Sequence, residues 1–224
     1  MSGGEGGRRA IFFDVGGTLI RPHPSVGAVY ASVARRYGIS RTADEMEGAF
    51  RRSWAALKRP GLTVSRKEWW RELVFRVLGL ENQACFEELY EVFARPDAWR
   101  VFPEVEDTLR EARARGLHVG VLSNWDERLR GLLEGLGLAR HFDSLTISCE
   151  VGVEKPAAEI FLAALRAAGV SAGRAVHVGD SYEEDVRGAE AAGISAVLVD
   201  REGRRADAIR DLRDVWSKCD GVGF

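Results

Sequence analysis

The sequence predicts an α/β protein with a Rossmann-like, doubly wound parallel sheet as its core and a small all-helical cap insertion. Three observations predict this fold class. A short apolar run near the start ends in a glycine turn, residues 26–98 show helical spacing only, and short apolar runs alternate with helical periodicity from residue 99 onward. Strands that alternate with helices form right-handed βαβ units, which build a parallel sheet.

The first element is a buried strand at residues 10–13, where the apolar run AIFF stops at the segment DVGGT of residues 14–18. The two glycines indicate a tight turn after the strand. Asp14 is therefore expected at the carboxyl end of that strand. Residues 1–9 are rich in glycine and polar residues, which predicts a flexible N-terminus.

The next segment, residues 22–98, is predicted to be the cap. Its apolar residues recur at helical spacing, as at Val29, Val33 and Tyr37, and glycine and proline divide it into three or four helices. Most of its aromatic side chains are expected to form the core of the cap, with one or two near the loop after Pro60 lining the site.

Residues 10–21 and 99–224 are predicted to form the sheet domain. Residues 201–214 alternate in charge sign, which predicts a solvent-exposed terminal helix. The other expected elements are helices over 103–115, 127–136, 157–168 and 182–192, and strands over 117–122, 144–148, 175–178 and 195–199.

Polar side chains follow four of these strands. Taken singly, each has an ordinary structural interpretation as a helix cap, a turn residue or a solvated charge. Because the carboxyl ends of parallel strands meet at one crevice, we expect them to converge. The groups are Asp14 with its glycine turn, Ser123-Asn124, Glu154-Lys155-Pro156, and Gly179-Asp180 with Asp185.

Lysine is rare in this chain, which makes Lys155 informative. Only 4 of the 32 basic residues are lysine. A compact ammonium suits a point-charge contact to an anion, whereas arginine suits a bidentate contact. A strand-end carboxylate, a hydroxyl, a lysine and an aspartate pair are the groups that phosphoryl transfer through an aspartyl-phosphate requires. Carboxylates, a backbone carbonyl and water form the oxygen shell that Mg²⁺ prefers.

These residues resemble the haloacid dehalogenase superfamily. Motif one corresponds to DVGGTL at residues 14–19, motif two to Ser123-Asn124, motif three to Lys155-Pro156, and motif four to Gly179-Asp180-Ser181 through Asp185. The insertion resembles the helical cap of the phosphoglycolate phosphatase-like subgroup. The segments at residues 69–70 and 123–126 further resemble the branch called haloacid dehalogenase-like hydrolase domain-containing protein three.

The resemblance implies a magnesium site. Asp14 and Asp180 match the two carboxylates that bind the ion directly, and the position of Gly16 matches a backbone carbonyl ligand. Asp185 matches an acid that acts through water or a hydrogen bond.

The resemblance also implies how a small phosphorylated metabolite is held and cleaved. Asp14 matches the nucleophile, Ser123 the hydroxyl that binds the phosphoryl group, and Lys155 the lysine that balances charge. Asn124 is expected to assist substrate binding beside Ser123.

One position departs from the family pattern. Superfamily phosphatases carry a second aspartate two residues after the nucleophile, which protonates the leaving oxygen, and here Gly16 occupies that position. A positioned general acid contributes about 10² to 10⁴ in rate.

Three interpretations of this departure remain open. The enzyme acts on acyl or aryl phosphates, or borrows a group from the cap or the substrate. Alternatively, it breaks a C–P or C–halogen bond. Cleavage of a C–P bond through a Schiff base would need a cap lysine, for which Lys58 and Lys67 are the only candidates. The Gly-Asp of motif four argues against a dehalogenase, because those enzymes lack a metal. It is a binding or interaction protein with little or no turnover.

Composition excludes several other classes. The 32 basic and 34 acidic residues give a net charge of −2, which favours neither nucleic acid nor a membrane surface as partner. No apolar run approaches the roughly 18 residues of a membrane span, and the three scattered cysteines predict reduced thiols in a cytoplasmic protein. His118 and His177 fall in predicted strands and are expected to be core residues. The sequence does not predict the oligomeric state.

Overall fold

A five-stranded parallel sheet is the centre of the computed structural model, which describes residues 9–57 and 66–219. The strand order is β5-β4-β1-β6-β7, and all four pairings are parallel. The predicted flexible segment up to residue 8, Lys58 and the turn at Pro60 lie outside the described residues. The strands are β1 Ala10–Phe13, β4 His118–Ser123, β5 Ser144–Ile147, β6 Ala175–Gly179 and β7 Ser195–Leu198.

The central strands are buried, as a parallel sheet with helices on its faces requires. All four residues of β1 are buried, and Phe12 packs with Ile160 and Phe161 in one apolar cluster. Ile160 and Phe161 belong to the helix Ala158–Ala168. The helices of this part of the chain are α5 Val105–Ala114, α7 Ser148–Val151, α8 Ala158–Ala168, α9 Gly188–Ala191 and α10 Val215–Cys219.

The predicted helix over residues 182–192 begins as a π-helical turn, Tyr182–Arg187, and continues as α9. The backbone carbonyl of Ser181 accepts hydrogen bonds from the backbone N–H groups of both Asp185 and Val186, at 2.8 and 3.3 Å. This shared acceptor widens the first turn. Single π-helical turns are frequent at functional sites.

The predicted terminal helix over residues 201–214 is wrong. Asp200 accepts hydrogen bonds from the backbone N–H groups of Glu202 and Arg205, at 3.2 and 2.8 Å. Such local side-chain bonds to the backbone compete with helix formation. The chain forms turns here, then a 3₁₀ turn, Leu212–Asp214, and α10.

Two short strands were not predicted. β2 Ile20–Pro22 pairs with β3 Trp99–Val101 in an antiparallel ladder. Three residues are too few to show the alternation by which a strand is recognised in a sequence.

Contacts between residues divide the chain into two units. The sheet unit comprises the chain up to Leu19, Phe102–Asn124 and the chain from Leu138 onward, and the helical unit comprises Ile20–Val101 and Trp125–Gly137. The predicted boundaries of the cap at residues 22 and 98 stay a prediction. The helices of the helical unit are α1 Val26–Arg35, α2 Ala43–Leu57, α3 Arg66–Leu78, α4 Gln83–Val92 and α6 Arg128–Gly135.

Local caps explain where the first helices of the helical unit begin. The Ser25 hydroxyl accepts the backbone N–H of Ala28 at 3.1 Å, which starts α1. Thr42 and Glu45 form a reciprocal capping box ahead of α2, with hydrogen bonds of 2.7 and 3.2 Å. Aromatic and aliphatic side chains of α1 to α4 share one buried cluster, which includes Tyr30 and Phe86.

Helix α6 joins the helical unit through Arg128. Its guanidinium lies 3.6 Å from the ring centroid of Tyr90 and donates a hydrogen bond to the Tyr90 carbonyl at 2.7 Å. Asp126 holds the same guanidinium through two bonds of 2.8 and 2.6 Å. Within residues 9–57 and 66–219, the helices are all too short or too polar to cross a bilayer.

Candidate active site

The candidate site lies where the winding of the sheet reverses. The chain places β4 and β5 on one side of β1 and β6 and β7 on the other, so the switch point lies between β1 and β6. Asp14 directly follows β1, and its backbone N–H donates to the carbonyl of Val178 at 2.8 Å. Asp180 directly follows β6. Two acids therefore stand at the carboxyl ends of neighbouring strands.

The structure brings three acidic side chains together at this edge. One carboxylate oxygen from each of Asp14, Asp180 and Asp185 lies within 4.8 Å of the other two. Asp14 and Asp185 are buried, whereas Asp180 is exposed. The three carboxylates could hold one cation between them.

Lys155 connects two of these acids. Its Nζ donates to Oδ1 of Asp14 at 2.7 Å, to Oδ1 of Asp185 at 2.5 Å and to the carbonyl of Leu122 at 3.2 Å. The residue is only 3% exposed. The Ser123 hydroxyl donates to the same Oδ1 of Asp14 at 2.9 Å. All three donors of the ammonium are used, so its position is closely defined.

Asn124 holds the loop that carries Lys155. Its Oδ1 accepts the backbone N–H of Lys155 at 2.7 Å, and its Nδ2 donates to the Lys155 carbonyl at 3.0 Å. A further bond joins Nδ2 to Glu184 at 3.3 Å. The expected contact of Asn124 with substrate stays a prediction.

Both oxygens of Asp185 are engaged with protein groups. Oδ1 accepts from Lys155 and from Nε2 of His177, the latter at 2.8 Å, and Oδ2 accepts the backbone N–H of Ser181 at 2.9 Å. A Cβ added at Gly179 would lie 2.1 Å from Cγ of Asp185, so only glycine allows this approach. Asp185 is thus placed to orient Lys155 and the turn after β6.

Gly17 gives Asp180 the space that it occupies. Its φ is +80°, a conformation that side chains disfavour, and an added Cβ would lie 2.3 Å from Oδ2 of Asp180. Gly16, whose backbone carbonyl is an expected metal ligand, immediately precedes this residue.

Burial and neighbouring charges shift the pKa values of the three acids in this cluster. Burial raises the pKa of Asp14 above its ordinary value; Asp185 adds to this, and Lys155 opposes it. Desolvation and the charges of Asp14 and Asp185 raise the pKa of Asp180 to about 8. Burial acts to raise the pKa of Asp185 too, yet Lys155 and His177 hold it well below the usual range.

Lys155 stays charged in spite of its burial. Desolvation acts to lower the pKa of the ammonium, but Asp14 and Asp185 raise it above its ordinary value. Lys155 and Asp185 therefore form an ion pair, while the raised pKa values of Asp14 and Asp180 make these two acids harder to ionise than ordinary aspartates.

His177 is a site residue that the sequence analysis missed. It is completely buried, and its Nδ1 has no hydrogen-bond partner among the described residues. Nε2 is therefore the ring nitrogen that contacts Asp185. The sequence contains a signal for this contact. Residues two apart in a strand share one face of the sheet, so an acid that packs over Gly179 also contacts His177.

We expect His177→Phe to destabilise the protein by about 1–3 kcal/mol, because a buried carboxylate loses one of its donors. His177→Gln, which can donate, should recover part of the loss. His118→Phe is the matched control, since His118 is also buried in a strand but contacts the neutral Ser144 hydroxyl at 2.7 Å, while the nearest oxygen of Asp143 lies 4.0 Å from its Nδ1, beyond hydrogen-bond distance. Urea unfolding measures all three variants. An equal loss for the two phenylalanine variants would contradict the assigned role.

The sheet order and the aspartate–lysine cluster at its switch point define the class of protein. It is a Rossmann-like α/β protein that presents a buried carboxylate and lysine at the carboxyl edge of its sheet. The family model for haloacid dehalogenase-like hydrolases matches residues 8–193. The chain belongs to the haloacid dehalogenase-like hydrolase family, as the four sequence motifs predict.

Individual relatives agree with this assignment. The chain is 38% identical over 216 residues to haloacid dehalogenase-like hydrolase domain-containing protein 3 of Mus musculus, covering 91% of this chain and 86% of the mouse protein. It is 35% identical over 244 residues to phosphoserine phosphatase of Thermus thermophilus, covering 93% of this chain and 98% of that protein.

A solved structure agrees with the fold. The crystal structure of HAD phosphatase from Thermococcus onnurineus has a TM-score of 0.68 to this chain at 29% identity, covering 95% of this chain and 98% of that one. The predicted Rossmann-like fold is confirmed.

Proposed function

We propose that the protein is a magnesium-dependent phosphatase that acts through Asp14 on small phosphorylated metabolites with good leaving groups. The observation that carries the proposal is the convergence of Lys155 and Ser123 on one oxygen of Asp14, with Asp180 beside it. Relatives named as phosphatases support the reaction class.

The donor set fits magnesium. The cluster brings three carboxylates against one ammonium, and a divalent cation would balance the negative charge that these acids carry when they are ionised. Hard carboxylate and carbonyl oxygens are the ligands that Mg²⁺ prefers. Asp14, Asp180 and the Gly16 carbonyl would hold the ion, with Asp185 acting through its hydrogen bonds. When bound, magnesium would neutralise charge on the phosphoryl oxygens.

The protein groups then account for the covalent step. A carboxylate oxygen of Asp14 forms a bond to phosphorus as the bond to the leaving oxygen breaks, and water later cleaves the aspartyl-phosphate to release phosphate and restore the carboxylate. Lys155 and Ser123 both donate to Oδ1 of Asp14, which leaves Oδ2 for the attack, and each would donate to a phosphoryl oxygen by giving up its bond to Asp14.

Gly16 determines which leaving groups can depart. It carries no carboxyl that could protonate the leaving oxygen, and the absence of a general acid raises the barrier by roughly 3 to 5 kcal/mol. Acyl and aryl oxygens leave as stable anions and need little protonation. Alkyl esters, with basic leaving oxygens, are expected to react slowly.

A screen of phosphate release across leaving groups of graded basicity, with and without Mg²⁺, tests this proposal. We expect wild-type rates to fall steeply from aryl and acyl phosphates to alkyl phosphates, phosphoserine among them. Gly16→Asp should raise alkyl turnover by up to about 10²-fold, because it supplies an acid. Gly16→Asn is the matched control, of similar size without a titrating carboxyl. Equal wild-type rates on aryl and alkyl esters would contradict the proposal.

The same screen separates the alternatives. Halide release, or an aldehyde from a phosphonate, would indicate C–halogen or C–P cleavage, and beryllofluoride binding without turnover would indicate a binding protein. Lys67 does not suit a Schiff base, because its ammonium pairs with Glu87 at 2.8 Å and lies 5.0 Å from the ring centroid of Tyr90. Lys58 lies outside the described residues.

A further inference from the structure

Arg201 binds the turn that follows Asp14. Its Nη2 donates to the backbone carbonyl of Thr18 at 2.6 Å, although the two residues lie 183 positions apart in the sequence. The Thr18 hydroxyl is buried and makes no hydrogen bond to any residue that the structure describes. The backbone carbonyl is therefore the group by which Arg201 holds this turn.

The Arg201 side chain is itself closely held. Its Nη1 donates to a carboxylate oxygen of Glu104 and to the carbonyl of Arg210, the latter at 3.1 Å, and its guanidinium lies 3.9 Å from the ring centroid of Phe102. Glu104 is buried, so the two form a largely buried ion pair. The planar guanidinium reaches these acceptors and the Thr18 carbonyl together, which a lysine ammonium does not do with the same geometry.

The main chain that carries Arg201 is fixed by hydrogen bonds of the preceding residue. The backbone N–H of Asp200 donates to the carbonyl of Ile209 at 2.8 Å, and its carbonyl accepts the backbone N–H of Gly203 at 2.9 Å. The Asp200 carboxylate also accepts the backbone N–H of Arg205 at 2.8 Å. Arg201 therefore extends from a defined point after β7.

The turn that Arg201 holds sets the space available to Asp180. Gly17 directly precedes Thr18 and lies so close to this acid that an added Cβ would be 2.3 Å from Oδ2. Gly16, whose carbonyl is an expected metal ligand, belongs to the same turn. The separation of Asp180 from Asp14 therefore depends on where the turn lies.

We propose that Arg201 is a positioning residue for the reaction. By holding the Thr18 carbonyl, it keeps the turn at Gly16 and Gly17 where the carboxylates of Asp14 and Asp180 converge on one cation. The inference rests on the proposed function and adds a residue to it. The effect of Arg201 on the site passes through the main chain of the turn.

The magnesium affinity of the enzyme without substrate, measured by calorimetry, tests the inference without relying on turnover. Arg201→Ala should weaken magnesium binding about tenfold, as expected for a residue that supports metal ligands. Arg201→Lys keeps the charge and should recover part of the affinity. With phenyl phosphate at saturating Mg²⁺, kcat of Arg201→Ala should fall about tenfold while KM changes less than about threefold, because the residue positions the site rather than binding substrate.

A double variant separates positioning from stability. Arg201→Ala leaves the buried Glu104 carboxylate without its cation and should lower the midpoint of urea unfolding. Glu104→Gln in the same chain removes that charge and should recover most of the midpoint. Magnesium affinity should stay about tenfold weaker, because the Thr18 carbonyl still lacks its donor. Recovery of affinity together with stability would overturn the inference.

Arg113→Ala is the matched control. The Arg113 guanidinium also joins a backbone carbonyl and a carboxylate of the sheet unit, those of His141 at 3.1 Å and Asp143 at 2.9 Å. Asp143 directly precedes β5, so this pair lies at the amino edge of the sheet, opposite the candidate site. We expect its magnesium affinity to equal that of the wild type.

The wild-type result keeps this inference distinct from the proposed function. If the wild type binds no magnesium, the metal site is wrong and the positioning role fails with it. If the wild type binds magnesium and Arg201→Ala binds it equally well, only the positioning role is wrong. A raised KM with an unchanged kcat would make Arg201 a substrate-binding residue and would also overturn the inference.

Discussion

Asp14→Asn is expected to abolish phosphate release from aryl and acyl phosphates, with a loss of roughly 10⁶-fold, the scale seen when a covalent nucleophile is removed. The amide is a poor nucleophile, yet it has the shape of the carboxylate, so Ser123 can still donate to its oxygen. Lys155 retains Asp185 as its ion-pair partner at 2.5 Å. The site should therefore keep its geometry while losing its chemistry.

The fold should survive this change. The pKa of Asp14 is raised, so its carboxyl is harder to ionise in the folded protein than in the unfolded chain, and its charge opposes folding at neutral pH. Removing that charge should leave thermal stability unchanged or slightly increased. Phosphate-release assays and thermal unfolding are the measurements, with Asp107→Asn, an exposed acid paired with Arg110, as the control. Turnover by Asp14→Asn at the wild-type rate would show that the nucleophile is another group.

The central part of the fold could be predicted because it depends on residues that are adjacent in the sequence. The run AIFF becomes β1 at the predicted bounds, Ala10–Phe13, since a strand buried on both faces must be apolar throughout. The rule that ligands bind at the carboxyl ends of parallel strands then brings Asp14 and Asp180 together without any knowledge of side-chain conformations.

Other elements depend on partners that are distant in the sequence. β2 exists because Ile20 pairs with Val101, and three residues carry no pattern of their own. The predicted helix after residue 200 is replaced by turns, because the Asp200 carboxylate takes backbone N–H groups that a helix would need. Neither outcome follows from composition or charge alternation.

The site, like the fold, has features that the sequence predicts and features that require the folded chain. The positions of Ser123 and Lys155 near Asp14 follow from where their strands end, but two other contacts need the folded chain. Asn124 binds the backbone around Lys155, and His177 reaches Asp185 only because Gly179 lacks a side chain. Residue types predicted the chemistry at the site, whereas its supporting hydrogen bonds depend on side-chain packing.

Lys155→Met is expected to cost about 3–5 kcal/mol of unfolding free energy, the largest stability effect of any substitution considered for this site. Methionine fills similar volume but removes the ammonium that Asp14 and Asp185 share. The buried carboxylate of Asp185 then loses the ammonium that balances its charge. Lys67→Met is the matched control, because Lys67 forms an exposed ion pair with Glu87 and such pairs contribute at most about 1 kcal/mol.

A double variant separates lost charge balance from lost packing. If the cost of Lys155→Met arises from the unpaired acid, Asp185→Asn introduced into the same chain should restore part of the stability, since the uncompensated charge disappears. Urea denaturation of the two single variants and the double variant measures this coupling. Additive losses, or a loss for Lys155→Met no greater than that for Lys67→Met, would mean that the ammonium does not balance these carboxylates. A partial recovery would instead place Lys155 as the counter-charge on which the buried acids depend.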